Sequence, residues 1–275
     1  MRVLVTGARG GLGTYVVRAF EAAGYGVLDP PRAELDLTDR AGVDLYMNAL
    51  RPVVIVHLAA LADVDRCGAH LEEAVRVNVL ATQYLAASAR CPLIYMSTND
   101  VFSECLDGPF DEGRTPAPGM PYSWSKFAGE QAVLAAGGLV VRANFFTRRC
   151  NSKRSFVAYV LEHAARDVPF DCYANVCACP VFAGTLATVL VQSSIEGRRG
   201  VLHVATEDAV NRAEQAEKIC KAYGLSSLCV RPVSLRDRRG RPLDARLTSV
   251  RGGIVGTVSS EIRKLVQAEP IEEVA

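Results

Sequence analysis

Tyr122 and Lys126 stand four residues apart in Tyr122-Ser123-Trp124-Ser125-Lys126. On a helix that spacing puts both side chains on one face. A free tyrosine, with a pKa of about 10, is a poor proton donor or acceptor at neutral pH. An ammonium beside it favours the phenolate and lowers that value. The pair therefore reads as an acid–base phenol with its tuning cation, and the same ammonium is placed to hydrogen-bond a ribose. Taken alone, Tyr-x-x-x-Lys also describes a solvated helix face, so its meaning depends on what positions it. Upstream, an apolar run ends in Ser97-Thr98-Asn99-Asp100-Val101-Phe102. Thr98 is placed there to donate to a carbonyl oxygen; the plainer reading is a strand-end hydroxyl that satisfies backbone.

A second group of residues suits a phosphate. Thr6-Gly7-Ala8-Arg9-Gly10-Gly11-Leu12-Gly13 carries glycines at the spacing G-x-x-G-x-x-G, between an expected strand and an expected helix. Gly7 permits a tight turn, Gly10 lets a pyrophosphate approach the backbone, and Gly13 lets the helix pack close to the sheet. The helix start, with Gly11 and Leu12, supplies free N–H groups and a positive dipole end. The alternative is a glycine turn with no ligand. Asp29 ends the second expected strand, where a carboxylate accepts from a ribose 2′-OH and favours NAD. Arg9 and Arg32 instead suit a 2′-phosphate and favour NADP. Two guanidiniums against one carboxylate tilt the expectation to NADP(H), with NAD(H) as the alternative. Asp36 is placed either for the adenine edge or as a helix cap.

The elements that must position these groups alternate. Strands are expected at residues 2–6, 26–28, 53–58, 93–97 and 139–142, as short β-branched or leucine-rich runs of the buried parallel kind. Helices are expected at 12–23, from a cap at Thr38 or Asp39 to about residue 50, at 71–89 and at 122–136. Residues 99–121, with four prolines, form a long loop of the sort that is often functional. This rhythm specifies an α/β fold with a Rossmann-type, doubly wound parallel sheet. After residue 142 it becomes irregular, with helices expected at 156–165, 183–195, 212–223 and 260–266 and strands at 201–204 and 228–233. Residues 1–146 are thus the dinucleotide-binding domain. Residues 147–275 are mainly a smaller substrate-binding lobe, with about 180–205 returning to the sheet.

Composition narrows the function classes. The chain has 275 residues, is 49% hydrophobic and carries a net charge of +1, so it can bury a large core and shows no nucleic-acid or acidic-membrane footprint. Its densest basic run, residues 236–241, reads as a solvated loop. The N-terminal apolar run is too short for a signal peptide, and no segment approaches the roughly 20 apolar residues of a membrane span. The expectation is a soluble, cytoplasmic protein, with a homodimer as a possible assembly. Nine cysteines are present, an odd number in a long chain, which points to buried thiols rather than a disulfide framework. Cys172, Cys177 and Cys179 do not have the paired spacings of a zinc site, so no metal is expected.

Taken together, these residues resemble the extended short-chain dehydrogenase/reductase superfamily, and within it the dTDP-4-dehydrorhamnose reductase family and its sugar-nucleotide-binding relatives. The likeness is clear from residue 1 to about 145 and thinner through Arg142-Ala143-Asn144-Phe145-Phe146 and Cys179-Pro180-Val181-Phe182-Ala183. It implies that Gly7, Gly10 and Gly13 form the cofactor loop and that Asp36 and Leu37 flank adenine. Leu58, Ala59 and Ala60, after His57, would run along the cofactor. Asn78 would be the structural and proton-relay asparagine, and Thr98, Tyr122 and Lys126 the catalytic triad. Asp63-Val64-Asp65 sits where that family has a Val-Asp pair. The resemblance implies an NAD(P)-dependent reductase of a keto group on a nucleotide-sugar. A nucleotide-sugar 4-epimerase is the alternative, as is a non-catalytic binding protein like the methionine adenosyltransferase β subunit. Sugar-nucleotide dehydratases place an acidic residue after the threonine; Asn99 stands there, and a carboxamide cannot donate a carboxyl proton.

Overall fold

In a computed structural model, the structure describes residues 1–105, 108–148, 155–235 and 243–270. Cys150 and the basic run 236–241 lie outside the described residues.

The first half alternates as its pattern dictates: β1 (Arg2–Thr6), α1 (Gly13–Ala22), β2 (Gly26–Leu28), α2 (Arg40–Leu50), β3 (Val54–His57), α3 (Val64–Ala69), α4 (Leu71–Ala74), α5 (Ala81–Ser88), β4 (Leu93–Thr98), α6 (Pro121–Ala135) and β5 (Leu139–Ala143). The second half adds β6 (Phe145–Phe146), α7 (Phe156–Ala165), β7 (Phe170–Tyr173), β8 (Cys177–Ala178), β9 (Val181–Phe182), α8 (Ala183–Ile195), β10 (Gly200–Val204), β11 (Val210–Asn211), α9 (Arg212–Ala222), β12 (Val230–Val233), β13 (Asp244–Ala245) and α10 (Val258–Ala268).

Six strands form one parallel sheet in the order β10-β5-β4-β3-β1-β2. The order reverses at β1, so the carboxyl ends of β1 and β3 flank the crevice where open α/β sheets bind ligands. Side chains alternate across the sheet as a pleat requires. Val3, Val5, Val54, Val56, Met96 and Val141 join a core with α1 and α8, while Leu4, Ile55, Tyr95 and Val140 join a second core with α2, α5 and α6. A third, smaller cluster around Phe102, Phe110 and Leu247 lies under the loop that follows β4. The chain returns to the main sheet only at β10, which pairs with β5; the short strands between them build the outer lobe.

Three expectations change in detail. The helix expected over 71–89 is interrupted by a π-helical stretch, Val75–Leu80, centred on Asn78, and π-bulges of this kind recur at functional sites. A short helix, α3, precedes it, capped by Asp63, whose Oδ1 accepts from Arg66 N at 3.0 Å. The long loop after β4 opens with a 3-10 turn, Asn99–Phe102, because Thr98 Oγ1 accepts from Asp100 N at 3.1 Å. The eight described cysteines are free, and Cys67, Cys105, Cys172, Cys179, Cys220 and Cys229 are buried. Among the described residues no group of three or more His, Cys, Asp or Glu side chains is placed to hold a metal, and no helix is long and apolar enough to cross a membrane.

Candidate active site

The glycine loop has the residues its geometry demands. Gly7 has φ +71°, and a Cβ there would sit 2.7 Å from Ala59 N; a Cβ on Gly13 would sit 2.3 Å from Gly7 O. The loop therefore folds down onto the end of β3, and α1 starts directly beneath it. No side chain caps the start of α1; Thr14 N and Tyr15 N donate to Gly10 O and Leu12 O at 3.2 and 3.1 Å, and the positive end of the helix dipole lies at the glycine loop.

The residues expected to hold a cofactor fall into three groups. Gly7, Arg9, Asp29, Arg32, Asp36, Leu37 and Ala59 line one cleft of about 400 Å³. Gly10 and Gly11 line an adjoining recess with Tyr15 and Glu269. Leu12 and Gly13 are buried under the loop, Leu58 packs against the core, and Ala60 is half-buried beside it.

Two of these residues are partnered with each other. Asp36 is not the cap of α2: Asp39 takes that place, its Oδ1 accepting from Ala41 N at 3.1 Å. Asp36 Oδ1 instead accepts from Thr38 N and Thr38 Oγ1 at 2.9 and 2.8 Å, which holds its carboxyl below the usual range. Its other oxygen pairs with Arg32 at 3.3 Å in an exposed ion pair. Arg32 thus lines the cleft with its charge already shared, and a 2′-phosphate would have to draw it from Asp36.

At the far end of the crevice, Pro121 opens α6 at N1, where its missing N–H costs nothing. The helix presses onto β4: a Cβ on Gly129 would lie 2.5 Å from Tyr95 Oη. Burial and the charge of Asp100 raise the Tyr122 phenol and keep it protonated, with the neighbouring Thr98 pulling the other way; Thr98 Oγ1 itself donates to Asn99 Oδ1 at 3.4 Å and accepts from Asp100 N at 3.1 Å. Lys126 is 3% exposed, and its Nζ lies 4.0 Å from the centroid of the Tyr95 ring. Burial brings Lys126 down to about 7, against the upward pull of Glu130.

Asn78 is 1% exposed, and its amide is used by neighbours. Oδ1 accepts from Leu61 N at 2.8 Å, while Nδ2 donates to Leu61 O at 3.1 Å and to Ser125 Oγ at 2.9 Å. It clamps the segment after β3 to the helix that carries Tyr122. Asn99 is likewise structural, donating to Ala245 O at 3.2 Å.

Two buried networks behind the site escaped the sequence reading. His57 is fully buried, with Nδ1 2.7 Å from Thr6 Oγ1 and Nε2 3.0 Å from Thr82 Oγ1. Thr82 donates to Asn78 O at 2.7 Å and Ala59 N donates to Thr6 Oγ1 at 3.3 Å. The directions of the outer bonds leave one consistent assignment, with the imidazole neutral and its proton on Nε2. Burial, reinforced by Lys126, lowers His57 to about 3 and keeps it so. Glu130, also fully buried, receives Arg142 Nε and Nη2 at 3.0 and 2.6 Å and Ser97 Oγ at 2.5 Å. Arg142 extends this to His203 Nε2 at 3.3 Å. The available signals were an arginine inside the apolar strand Leu139-Val140-Val141-Arg142 and a glutamate one turn beyond Lys126, since a buried charge needs a partner.

A second cleft, of about 490 Å³, runs outward from Asn99, Asp100 and Met120 to the outer lobe and is lined also by Val64, Asn144, Phe156 and Arg212.

A Rossmann sheet with a glycine loop at one end of its crevice and a Thr, Tyr, Lys group at the other is the architecture of the short-chain dehydrogenases/reductases. Within that class the chain belongs to the RmlD substrate binding domain family, whose model matches residues 1–266. It is 35% identical over 245 residues to a dTDP-4-dehydrorhamnose reductase from Mycobacterium tuberculosis, covering 85% of this chain and 79% of that one. It is 31% identical over 242 residues to a probable low-salt glycan biosynthesis reductase from Haloferax volcanii, covering 82% and 81%. A solved dTDP-4-dehydrorhamnose reductase from Bacillus anthracis, in complex with NADP, superposes with a TM-score of 0.90 at 23% identity, covering 97% of this chain and 99% of that one.

Proposed function

We propose that the chain is an NADP(H)-dependent reductase of a keto group on a nucleotide-sugar. The observation that carries this reading is the packing of the carboxyl end of β4, which bears Thr98, against the first turns of α6, which bear Tyr122 and Lys126. The dinucleotide fits the first cleft: the uncapped start of α1 and the Gly7 turn offer backbone N–H groups to a pyrophosphate. Arg9 and Arg32 favour the 2′-phosphate, and Asp29 opposes it. When bound, the nicotinamide supplies the hydride.

The chain's own residues supply the proton and the orientation. Tyr122, held as the phenol, donates its proton to the substrate oxygen as that oxygen becomes a hydroxyl. Thr98, at the carboxyl end of β4, shares in polarising the carbonyl. Lys126 sits one turn along α6, with a proton affinity near neutrality that Glu130 sustains; its role toward the cofactor ribose belongs to this reading. Asn78 fixes α6 against the β3 end.

The test is oxidation of NADPH by dTDP-4-dehydrorhamnose. Tyr122→Phe should lower turnover by about 100-fold or more, with cofactor affinity, read from nicotinamide fluorescence, unchanged. Near-normal turnover in that variant would remove Tyr122 from the chemistry.

A further inference from the structure

The recess beside the glycine loop, of about 220 Å³, is lined by Gly10, Gly11 and the first turn of α1, and by Ala268 and Glu269 from the end of α10. Glu269 is 4% exposed, and several parts of the chain converge on it. Its carboxylate accepts from the Tyr15 hydroxyl, from Thr147 Oγ1 at 3.2 Å and from Arg148 N at 3.1 Å. Its carbonyl oxygen accepts from Arg148 Nη1 at 3.2 Å and from Tyr223 Oη at 3.0 Å. Burial and the facing carboxylate push the Tyr15 phenol up, so it remains a donor.

The docking of α10 does not require this arrangement. Val258, Ile262 and Leu265 are buried in the main core, and Glu261 Oε2 accepts from Phe182 N at 3.1 Å. A buried carboxylate costs free energy unless it is well bonded, so what Glu269 adds lies in the groups that it joins. Thr147 and Arg148 follow directly on β6. Tyr15 stands in the first turn of α1, its ring 5.1 Å from that of Phe182 in an edge-to-face contact. The same turn is bonded to the glycine loop, with Thr14 N donating to Gly10 O at 3.2 Å and Thr14 Oγ1 to Gly11 O at 3.4 Å. The Tyr15 hydroxyl is thus a handle by which the end of α10 grips the glycine loop. Glu269 itself has the wrong sign of charge to meet a phosphate, so any influence it has on a bound pyrophosphate runs through Tyr15.

We propose that Glu269 is a positioning residue for the dinucleotide: through Tyr15 it holds the first turn of α1, and with it the Gly10-Gly11 turn, in the place that a pyrophosphate needs. This rests on the first cleft being the dinucleotide site. The bonds to Thr147 and Arg148 anchor the carboxylate, and the bond to Tyr15 transmits its position to α1.

Fluorescence titration of the protein with NADPH tests this. Tyr15→Phe, which keeps the ring on Phe182 and removes only the handle, should weaken NADPH about three- to tenfold, on the scale of one charge-assisted hydrogen bond. Glu269→Ala should do the same. Glu269→Gln should bind NADPH at least as tightly as the wild type: its oxygen can still accept from Arg148 N, while the hydroxyls of Tyr15 and Thr147 can turn to accept from its NH2. The double variant Tyr15→Phe with Glu269→Ala should be no weaker than the weaker single, because both cut one connection. With NADPH saturating, kcat and the KM for dTDP-4-dehydrorhamnose should stay within about twofold of the wild type. Equal NADPH affinity in the wild type, Tyr15→Phe and Glu269→Ala overturns the proposal, even where the melting temperature falls, because a merely structural brace would do just that. Additive losses in the double variant overturn it as well. If the affinities are equal while Tyr122→Phe still abolishes NADPH oxidation, the positioning role falls and the reductase reading stands. If the affinities shift as expected and no keto-sugar nucleotide is reduced, the positioning role stands and the reductase reading falls.

Discussion

Glu130→Gln should lower the melting temperature by about 5–9 °C, although the residue touches neither cleft. Glu130 is 0% exposed and Arg142 3%, and two N–H···O contacts of 2.6 and 3.0 Å join them. Glutamine keeps the shape but strands the guanidinium, and breaking one side of a buried pair costs about 3–5 kcal/mol. Unfolding entropy of about 2.1 cal/mol/K per residue gives a chain of this length about 0.6 kcal/mol/K, so each kcal/mol moves the midpoint by about 1.7 °C. The same rule predicts that Glu130→Leu combined with Arg142→Met, which removes both charges, recovers most of the loss. Differential scanning calorimetry at pH 7 on the single and double variants decides the matter. A single variant within about 2 °C of wild type would refute the reasoning, as would a double variant that loses as much as the two singles together.

Gly13→Ala should abolish NADPH binding and lower the melting temperature, because its Cβ would meet Gly7 O at 2.3 Å. Gly24→Ala, at φ +84° but in open space, should cost only the left-handed penalty of about 1–2 kcal/mol and leave binding intact; equal behaviour of the two on thermal melting and fluorescence titration would contradict this. Lys126→Met should stabilise the protein most below pH 7. The lysine binds its proton near 10.5 when unfolded and near about 7 when folded, so wild-type stability rises with pH across that window. The variant's advantage, of order 4–5 kcal/mol at most, should shrink from pH 7 toward pH 10 in urea titrations, and a gap that is constant with pH would exclude the buried-lysine account. Arg32→Ala should weaken NADPH while sparing NADH; unchanged NADPH affinity would leave Arg9 as the arginine that meets the 2′-phosphate.

What was legible in the sequence is what local chemistry controls. The strands β1, β3, β4 and β5 are continuous apolar runs buried on both faces, and such runs announce themselves. Gly7 and Gly13 are visible because backbone geometry admits no other residue there. The π-helical stretch at Asn78 was hidden because it depends on Leu61 and Ser125, 17 residues before it and 47 after it. Arg212 and Gln215 were hidden for a similar reason. In sequence they are ordinary polar residues of an amphipathic helix, and only the packing of α9 against β7 and α7 turns them into the wall of the cleft. The surroundings of Lys126 were hidden at the same boundary: spacing placed it one turn from Tyr122, but the Tyr95 ring beside its ammonium is delivered by β4.

The protonation of Tyr122 bears on the direction of the chemistry. A phenolate at Tyr122 would serve the removal of a proton from an alcohol, whereas a phenol serves the protonation of a reduced carbonyl. Burial and the charge of Asp100 keep Tyr122 in the phenol form, against the pull of the neighbouring Thr98. Burial brings Lys126, one turn along α6, down to about 7. The acid needed to eliminate water is missing from the position after Thr98, where Asn99 is committed to Ala245. The residue after Thr98 therefore brings no carboxyl proton to the site. That arrangement suits carbonyl reduction better than dehydration, and better than an epimerase cycle, which must first take the proton it later returns.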